Sequence, residues 1–183
     1  RSKISSSDSR VYVIISDAMR YEVAVALAEQ LRRETQSKVE VSSMQGIFPT
    51  ITKFGMAALL PHKELSVELK SGKTERLAVL ADGQSTEANN RDKLLKNANA
   101  KSVALKYKDI IGMKRADRQA LVKGMDVVYI YHDTIDEAGH LEKSIFGACD
   151  EAIDELKNVV RIITNEFGGA NILITSDHGF LYT

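Results

Sequence analysis

Acids, imidazoles and hydroxyls fall at four separated points of this sequence: Asp17, the turn Pro49-Thr50-Ile51-Thr52, Asp136 with His140, and Asp177 with His178. Each follows an apolar run short enough to be a β-strand, or lies just beyond one. The clearest case is Asn171 to Phe180, where the unalternating Ile172-Leu173-Ile174 stops at Asp177, His178 and Gly179. Such a run suits a strand covered on both faces, and Gly179 permits a sharp exit. In an open α/β sheet ligands bind in the crevice at the carboxyl ends of the strands, so residues distant in sequence converge there. Carboxylate oxygens and imidazole nitrogens are ligands for divalent metals. A hydroxyl set between two such ions about 4 Å apart becomes a usable nucleophile as its pKa falls. A helix starting at Thr52 would add N–H donors and the favourable end of its dipole for a phosphate oxygen. Taken singly, each residue has a plainer role: Asp17 and Thr52 as helix caps, Asp136 and His140 as loop or first-turn residues, Asp177-His178 as a polar turn. Their joint placement favours the metal and hydroxyl chemistry.

The elements that must position these residues alternate strand and helix. Val11 to Ile15 is a short apolar strand ending at Ser16-Asp17, and Met19 to Arg33 carries Val23, Leu27, Ala28 and Leu31 at helical spacing. Val39 to Met44 is predicted as a second strand, closed by Gly46 and Pro49, and Thr52 to Leu60 as a helix stopped by Pro61. Residues 62–124 are less regular, with a strand at Leu77 to Leu80, a polar helix from Thr86 to Asn97, a strand at Ser102 to Leu105 and a helix from Lys114 to Lys123. Asp126 to Tyr131 reads as a buried strand ending at His132-Asp133. A loop through Asp136 and His140 then leads into a long helix, from about Glu142 to Asn165, whose apolar stripe runs from Ile145 to Ile163. The strands near Val11, Val39, Asp126 and Asn171 are expected to share one mostly parallel central sheet between helices, an α/β three-layer sandwich.

Composition mainly excludes. A chain of 183 residues fits one domain and needs no staple of disulfides. Cys149 is the only cysteine, so no internal disulfide forms; it lies in the apolar stripe of the long helix, where packing explains it, and a cytoplasmic location is expected. No apolar run approaches the roughly 20 residues of a membrane span, and Arg1 to Arg10 is polar rather than signal-like. The 25 Lys and Arg balance 25 Asp and Glu, so net charge points to neither nucleic acid nor membrane. Residues 62–124 nevertheless hold 14 Lys and Arg against 8 Asp and Glu. A solvated insertion is the plainer account, and a basic wall guiding a phosphorylated substrate the sharper one. The first residue is not Met, so the sequence is expected to be part of a longer protein.

Ser16-Asp17-Ala18-Met19-Arg20, Phe48-Pro49-Thr50-Ile51-Thr52, Asp136-Glu137-Ala138-Gly139-His140 and Ser176-Asp177-His178-Gly179 resemble the alkaline phosphatase superfamily, which includes nucleotide pyrophosphatase/phosphodiesterases and cofactor-independent phosphoglycerate mutases. The ordered set Ile15 to Glu22, Pro49 to Lys53 and Tyr131 to Asp136 is more closely similar to PglZ domains, which belong to BREX phage-defence systems and have relatives attached to bacterial response regulators. Each motif alone is weak; their order, spanning Val11 to the end, carries the resemblance. It implies one alkaline-phosphatase-like core over residues 1–183, variable across 62–124, and a metal-dependent phosphohydrolase of the phosphodiesterase or phosphatase kind.

Carried over by position, Asp17, Asp177 and His178 would hold one metal, Asp136 and His140 the other, and Thr52 would be the nucleophile, with Thr50 the runner-up. Zinc is the implied ion and manganese the alternative. Arg20 would contact phosphate, or stand as a solvated helix residue. His132 would make either an internal hydrogen bond or a metal or substrate contact, while His62, beside Pro61, reads as structural. The second metal normally takes a further histidine downstream, and none follows His178, so that site is expected to be incomplete in this stretch. The departure keeps open a different class, a catalytically incomplete PglZ-like scaffold binding a partner or nucleic acid in a defence complex. A mutase-like transferase is a weaker third. The implied partners are a phosphorylated substrate, such as a nucleotide or nucleic acid, and other defence proteins, with no membrane.

Overall fold

The computed structural model describes residues 10–71, 76–140 and 145–180, with His140 described by its backbone alone. In chain order these residues form the strands Val11–Ser16 (β1), Leu65–Lys70 (β2), Arg76–Ala81 (β3), Gln84–Ser85 (β4), Ser102–Lys106 (β5), Val127–His132 (β6) and Asn171–Thr175 (β7). The helices are Tyr21–Glu34 (α1), Thr52–Leu59 (α2), Ala88–Ala98 (α3), Tyr107–Gly112 (α4), Arg115–Val122 (α5), Thr134–His140 (α6) and Ile145–Glu166 (α7).

Every residue of β1 is buried, which is why its run is apolar without alternation: a central strand has protein on both faces. β1 pairs in parallel with β6 on one side and β7 on the other, and β6 pairs in parallel with β5, giving the order β5-β6-β1-β7. Tyr12 and Ile14 face α1 and α7, meeting Leu27, Leu31, Leu156, Val159 and Ile163 in the main core. Val11, Val13 and Ile15 face the other way, onto Met56 and Leu59 of α2, beyond which Leu94 and Leu95 of α3 pack with Leu60, Ala81 and Tyr129. Helices thus cover both faces, and the expected three-layer α/β sandwich with a parallel central sheet is what the chain forms. The register sets Ser16 beside His132 and Ile15 beside Thr175, so three strand ends lie on one edge of the sheet.

Two expectations need correction, at Val39 to Met44 and at Asp136, and one that holds, the strand at Leu77 to Leu80, has a further finding attached. Val39 to Met44 is not a strand: it joins no ladder, residues 42–46 are exposed, and the Val39 carbonyl accepts from Arg32 Nε at 3.1 Å instead. The fourth strand of the sheet is β5. Leu77 to Leu80 is a strand, but it lies in a separate antiparallel sheet of order β2-β3-β4; β2 escaped the sequence reading because five of its six residues are exposed. Asp136 lies in a helix rather than a loop, in the first turn of α6. The expected start of the long helix near Glu142 falls outside the described residues, where α7 is seen from Ile145.

Candidate metal centre and nucleophile

The chain leaves β1 at Ser16 through a turn in which Ala18 adopts φ 62°, a left-handed conformation that an alanine adopts only under constraint. The constraint is visible on both sides of the residue. Its N–H donates to Asp177 Oδ1 at 3.2 Å, and its carbonyl accepts from the Phe180 N–H at 3.1 Å. These two bonds latch the exits of β1 and β7 together and bring Asp17, Asp177 and His178 to one spot. Asp17 does not cap α1, whose N-cap position is Arg20, so the plainer role for this acid is not the one it fills.

From the opposite face α2 delivers Thr52. The N-cap is Ile51, without a side-chain cap bond, and Thr52 is the first helical residue, so its hydroxyl is not spent on capping. That hydroxyl lies 3.0 Å from His178 Nε2 and 3.3 Å from Asp17 Oδ1. His178 Nδ1 faces the Gly179 carbonyl at 3.1 Å. A carbonyl only accepts, so Nδ1 carries the hydrogen and Nε2 presents a lone pair to the site. α2 reaches this depth because Gly55 has no side chain: a Cβ there would sit 2.3 Å from the Asp177 carbonyl oxygen.

Ligand atoms of Asp17, Asp136 and His178 all lie within 4.8 Å of one another. Asp136 therefore groups with Asp17 and His178 directly, although sequence reasoning assigned it to a second ion with His140. The carboxylate of Asp177 stands at its side, with Oδ2 3.6 Å from His178 Nε2, buried and with no hydrogen-bond donor among the described residues. A buried carboxylate oxygen without a donor is expensive. A cation shared with Asp17 and His178 satisfies it, and the oxygen-and-imidazole donor set is one that divalent metals take. Burial first, then repulsion from Asp177 and Asp136, pushes the Asp17 carboxyl up to about 7, against a smaller opposing pull from His178. Crowded acids of this kind are relieved by a cation.

A cavity of about 300 Å³ opens beside the cluster, lined by residues that include Thr50, Ile51, Asp136, His178 and Phe180. Thr50 thus borders the cavity, while only Thr52 of the two touches Asp17 and His178. Arg20 lies at the rim, paired with Glu22 at 2.5 Å and stacked 5.1 Å over the Phe180 ring. His132 is turned away: Nδ1 meets Ser16 Oγ at 2.9 Å and Nε2 meets Glu155 Oε2 at 2.8 Å, the internal role rather than a substrate contact. His62 Nδ1 donates to the Leu60 carbonyl at 2.7 Å and lines a different cavity, with Pro61 and Asp82. The side chain of His140 is outside the described residues. Sequence reasoning missed Ala18, Gly55, Ser16 and Glu155. Only Gly55, a glycine inside a helical run, carried a signal that something must approach closely.

No helix among the described residues is long and apolar enough to cross a membrane. The chain is 44% identical over 177 residues to the alkaline phosphatase-like protein BrxZ of Escherichia coli O9:H4 (strain HS), covering 94% of this chain and 20% of that protein. It is 34% identical over 180 residues to the alkaline phosphatase-like protein PglZ of Bacillus cereus (strain H3081.97), covering 97% of this chain and 20% of that one. The chain thus spans about one fifth of the length of these curated relatives. No solved structure matches it. Residues 2–183 match the family described as the BREX system PglZ alkaline phosphatase-like domain, and with the strand-end cluster in place the chain belongs to that family.

Proposed function

We propose that this domain is the nucleophile-bearing part of a metal-dependent phosphohydrolase, with Thr52 attacking phosphorus. The observation that carries this is the Thr52 hydroxyl, on the first residue of α2, within 3.3 Å of both Asp17 Oδ1 and His178 Nε2, the latter a residue that lines the neighbouring cavity. Asp17, Asp136, Asp177 and His178 would hold a divalent ion, zinc before manganese by the imidazole-carboxylate character of the set, with His140 as a further ligand toward a second ion. Such an ion, when bound, lowers the pKa of a hydroxyl and withdraws charge from phosphate oxygens.

The chain's own residues do the rest. α2 holds Oγ1 of Thr52 against Asp17 and His178, and the N–H groups of Thr52 and Lys53 at its start favour a phosphate oxygen beside them, that of Phe54 being spent on the Ile51 carbonyl. Arg20, held by Glu22 and Phe180, would meet a second oxygen. Thr52 Oγ1 bonds to phosphorus as its proton passes to Asp17 Oδ1, to which it donates, and as the bond to the leaving oxygen breaks; a diester substrate leaves a threonine-bound phosphodiester that water then hydrolyses. A phosphodiester such as a nucleotide or nucleic acid is the proposed substrate, other defence-system proteins are the proposed partners, and a reducing compartment such as the cytoplasm suits the lone, buried Cys149.

The test is activity of the full-length protein on an aryl phosphodiester. Thr52→Ala should cut turnover by orders of magnitude while costing about 1 kcal/mol of stability or less, since no cap is lost. Thr50→Ala should be milder. Near-normal turnover in Thr52→Ala with Thr50→Ala dead would move the nucleophile to Thr50. If neither change matters and no metal is bound, the domain is a partner-binding scaffold.

A further inference from the structure

Beside the site, four polar side chains run in one hydrogen-bonded line, from Ser16 and His132 inside the core to Glu155 and Thr134, which are half-buried. Ser16 is wholly buried and His132 is 1% exposed. The Ser16 hydroxyl meets His132 Nδ1 at 2.9 Å, His132 Nε2 meets Glu155 Oε2 at 2.8 Å, and Thr134 Oγ1 donates to that same Glu155 oxygen at 2.5 Å. A carboxylate only accepts, so Nε2 carries the hydrogen and Nδ1 receives the one from Ser16. Tyr107 closes the ring edge-on, with centroids 5.3 Å apart. Burial pushes the Glu155 carboxyl up, but the hydrogen bonds from His132 and Thr134 outweigh it and hold it below its ordinary value. Apolar side chains would fill this space without requiring a matched set of donors and acceptors, so packing alone does not account for the line.

Its two ends explain it better. Ser16 immediately precedes Asp17 at the end of β1, and Thr134 opens α6 two residues before Asp136. Asp17 and Asp136 contribute ligand atoms within 4.8 Å of each other, a separation that two like charges resist. Among the described residues the backbone ties Asp17 to the neighbouring strand, its N–H donating to the His132 carbonyl at 2.8 Å, and no backbone bond runs from it to α6. We propose that the Ser16–His132–Glu155–Thr134 line is a positioning relay that fixes the β1 exit against the start of α6 and so sets the spacing of Asp17 and Asp136. Glu155 is its hub, because one oxygen receives both branches. The relay stands on geometry alone; only its effect on metal affinity rests on the proposed metal-dependent function.

The experiment uses the full-length protein and two readouts. Hydrogen exchange by mass spectrometry, without metal, follows peptides covering residues 14–20 and 133–139, and cobalt(II) absorption reports metal affinity. Glu155→Ala should speed exchange in both peptides by about tenfold and weaken cobalt binding by at least that much, the usual scale for a lost outer partner of a ligand. Glu155→Gln should restore both, because its carbonyl oxygen accepts from His132 and Thr134 without the charge. Should Glu155→Ala fail to fold, Thr134→Val with Thr134→Ser as its rescue reads the same peptides. Unchanged exchange at 14–20 in either disrupting variant overturns the relay, as does Glu155→Gln behaving like Glu155→Ala. If the wild-type protein takes up no cobalt while the exchange coupling holds, the metal-dependent function falls and the relay stands.

Discussion

An unfolded aspartate titrates near 3.8, whereas burial and the facing acids push Asp17 up to about 7 in the fold. Between those values the folded chain holds a proton that the unfolded chain has released, so stability should fall as pH rises across that window. Urea unfolding of the ion-free protein from pH 4 to 7 checks the sign, and Asp17→Asn should flatten the profile because the titrating group is gone. A divalent ion must displace the same proton, so its affinity should climb with pH until Asp17 is fully ionised. Asp17, Asp177, His178 and Thr52 were legible in the sequence because each follows a strand end or opens a helix, where local pattern alone fixes position. Ser16 and Glu155 were not, and His132 was left between two roles, since what they do depends on which strand lies beside which, and a serine before an acid has no periodicity to read.

The elements were read unevenly for physical reasons. β1, β6, α1, α2 and α7 bury a continuous face, so their apolar spacing reports their structure. Val39 to Met44 has strand-like residues but no neighbour to pair with, and β2 has a neighbour but little burial. Propensity loses in both cases to tertiary context. The seat of α2 is the element contact most exposed to a simple test. A methyl group at position 55 would stand 2.3 Å from the Asp177 backbone oxygen, closer than any real contact. Gly55→Ala should therefore cost about 1–3 kcal/mol through forced displacement of the helix, despite alanine's better helix propensity. It should also lower turnover by withdrawing Thr52 from Asp17 and His178. Thermal unfolding and phosphodiesterase assays on the variant measure the two effects separately, and an unchanged melting temperature would show that α2 yields without resistance.

At the scale of the whole domain, the cluster joins β1, α2, α6 and the exit of β7, so no local segment contains a binding site by itself. Metal binding should accordingly stabilise the domain as one unit. At 100 times its dissociation constant an ion adds about 2.7 kcal/mol. Calorimetric melting with and without zinc should show one transition moving upward, and Asp177→Asn should abolish the shift; a shift that survives there would locate the ion elsewhere. The latch at Ala18 carries this into the life of the chain. Asp17 is made early, but the partners of Ala18 are Asp177 and Phe180, which are made only after β7. On the ribosome Thr52 emerges long before His178, so the nascent polypeptide carries that hydroxyl without its imidazole neighbour. The proposed chemistry toward phosphate esters would thereby wait until translation has passed β7.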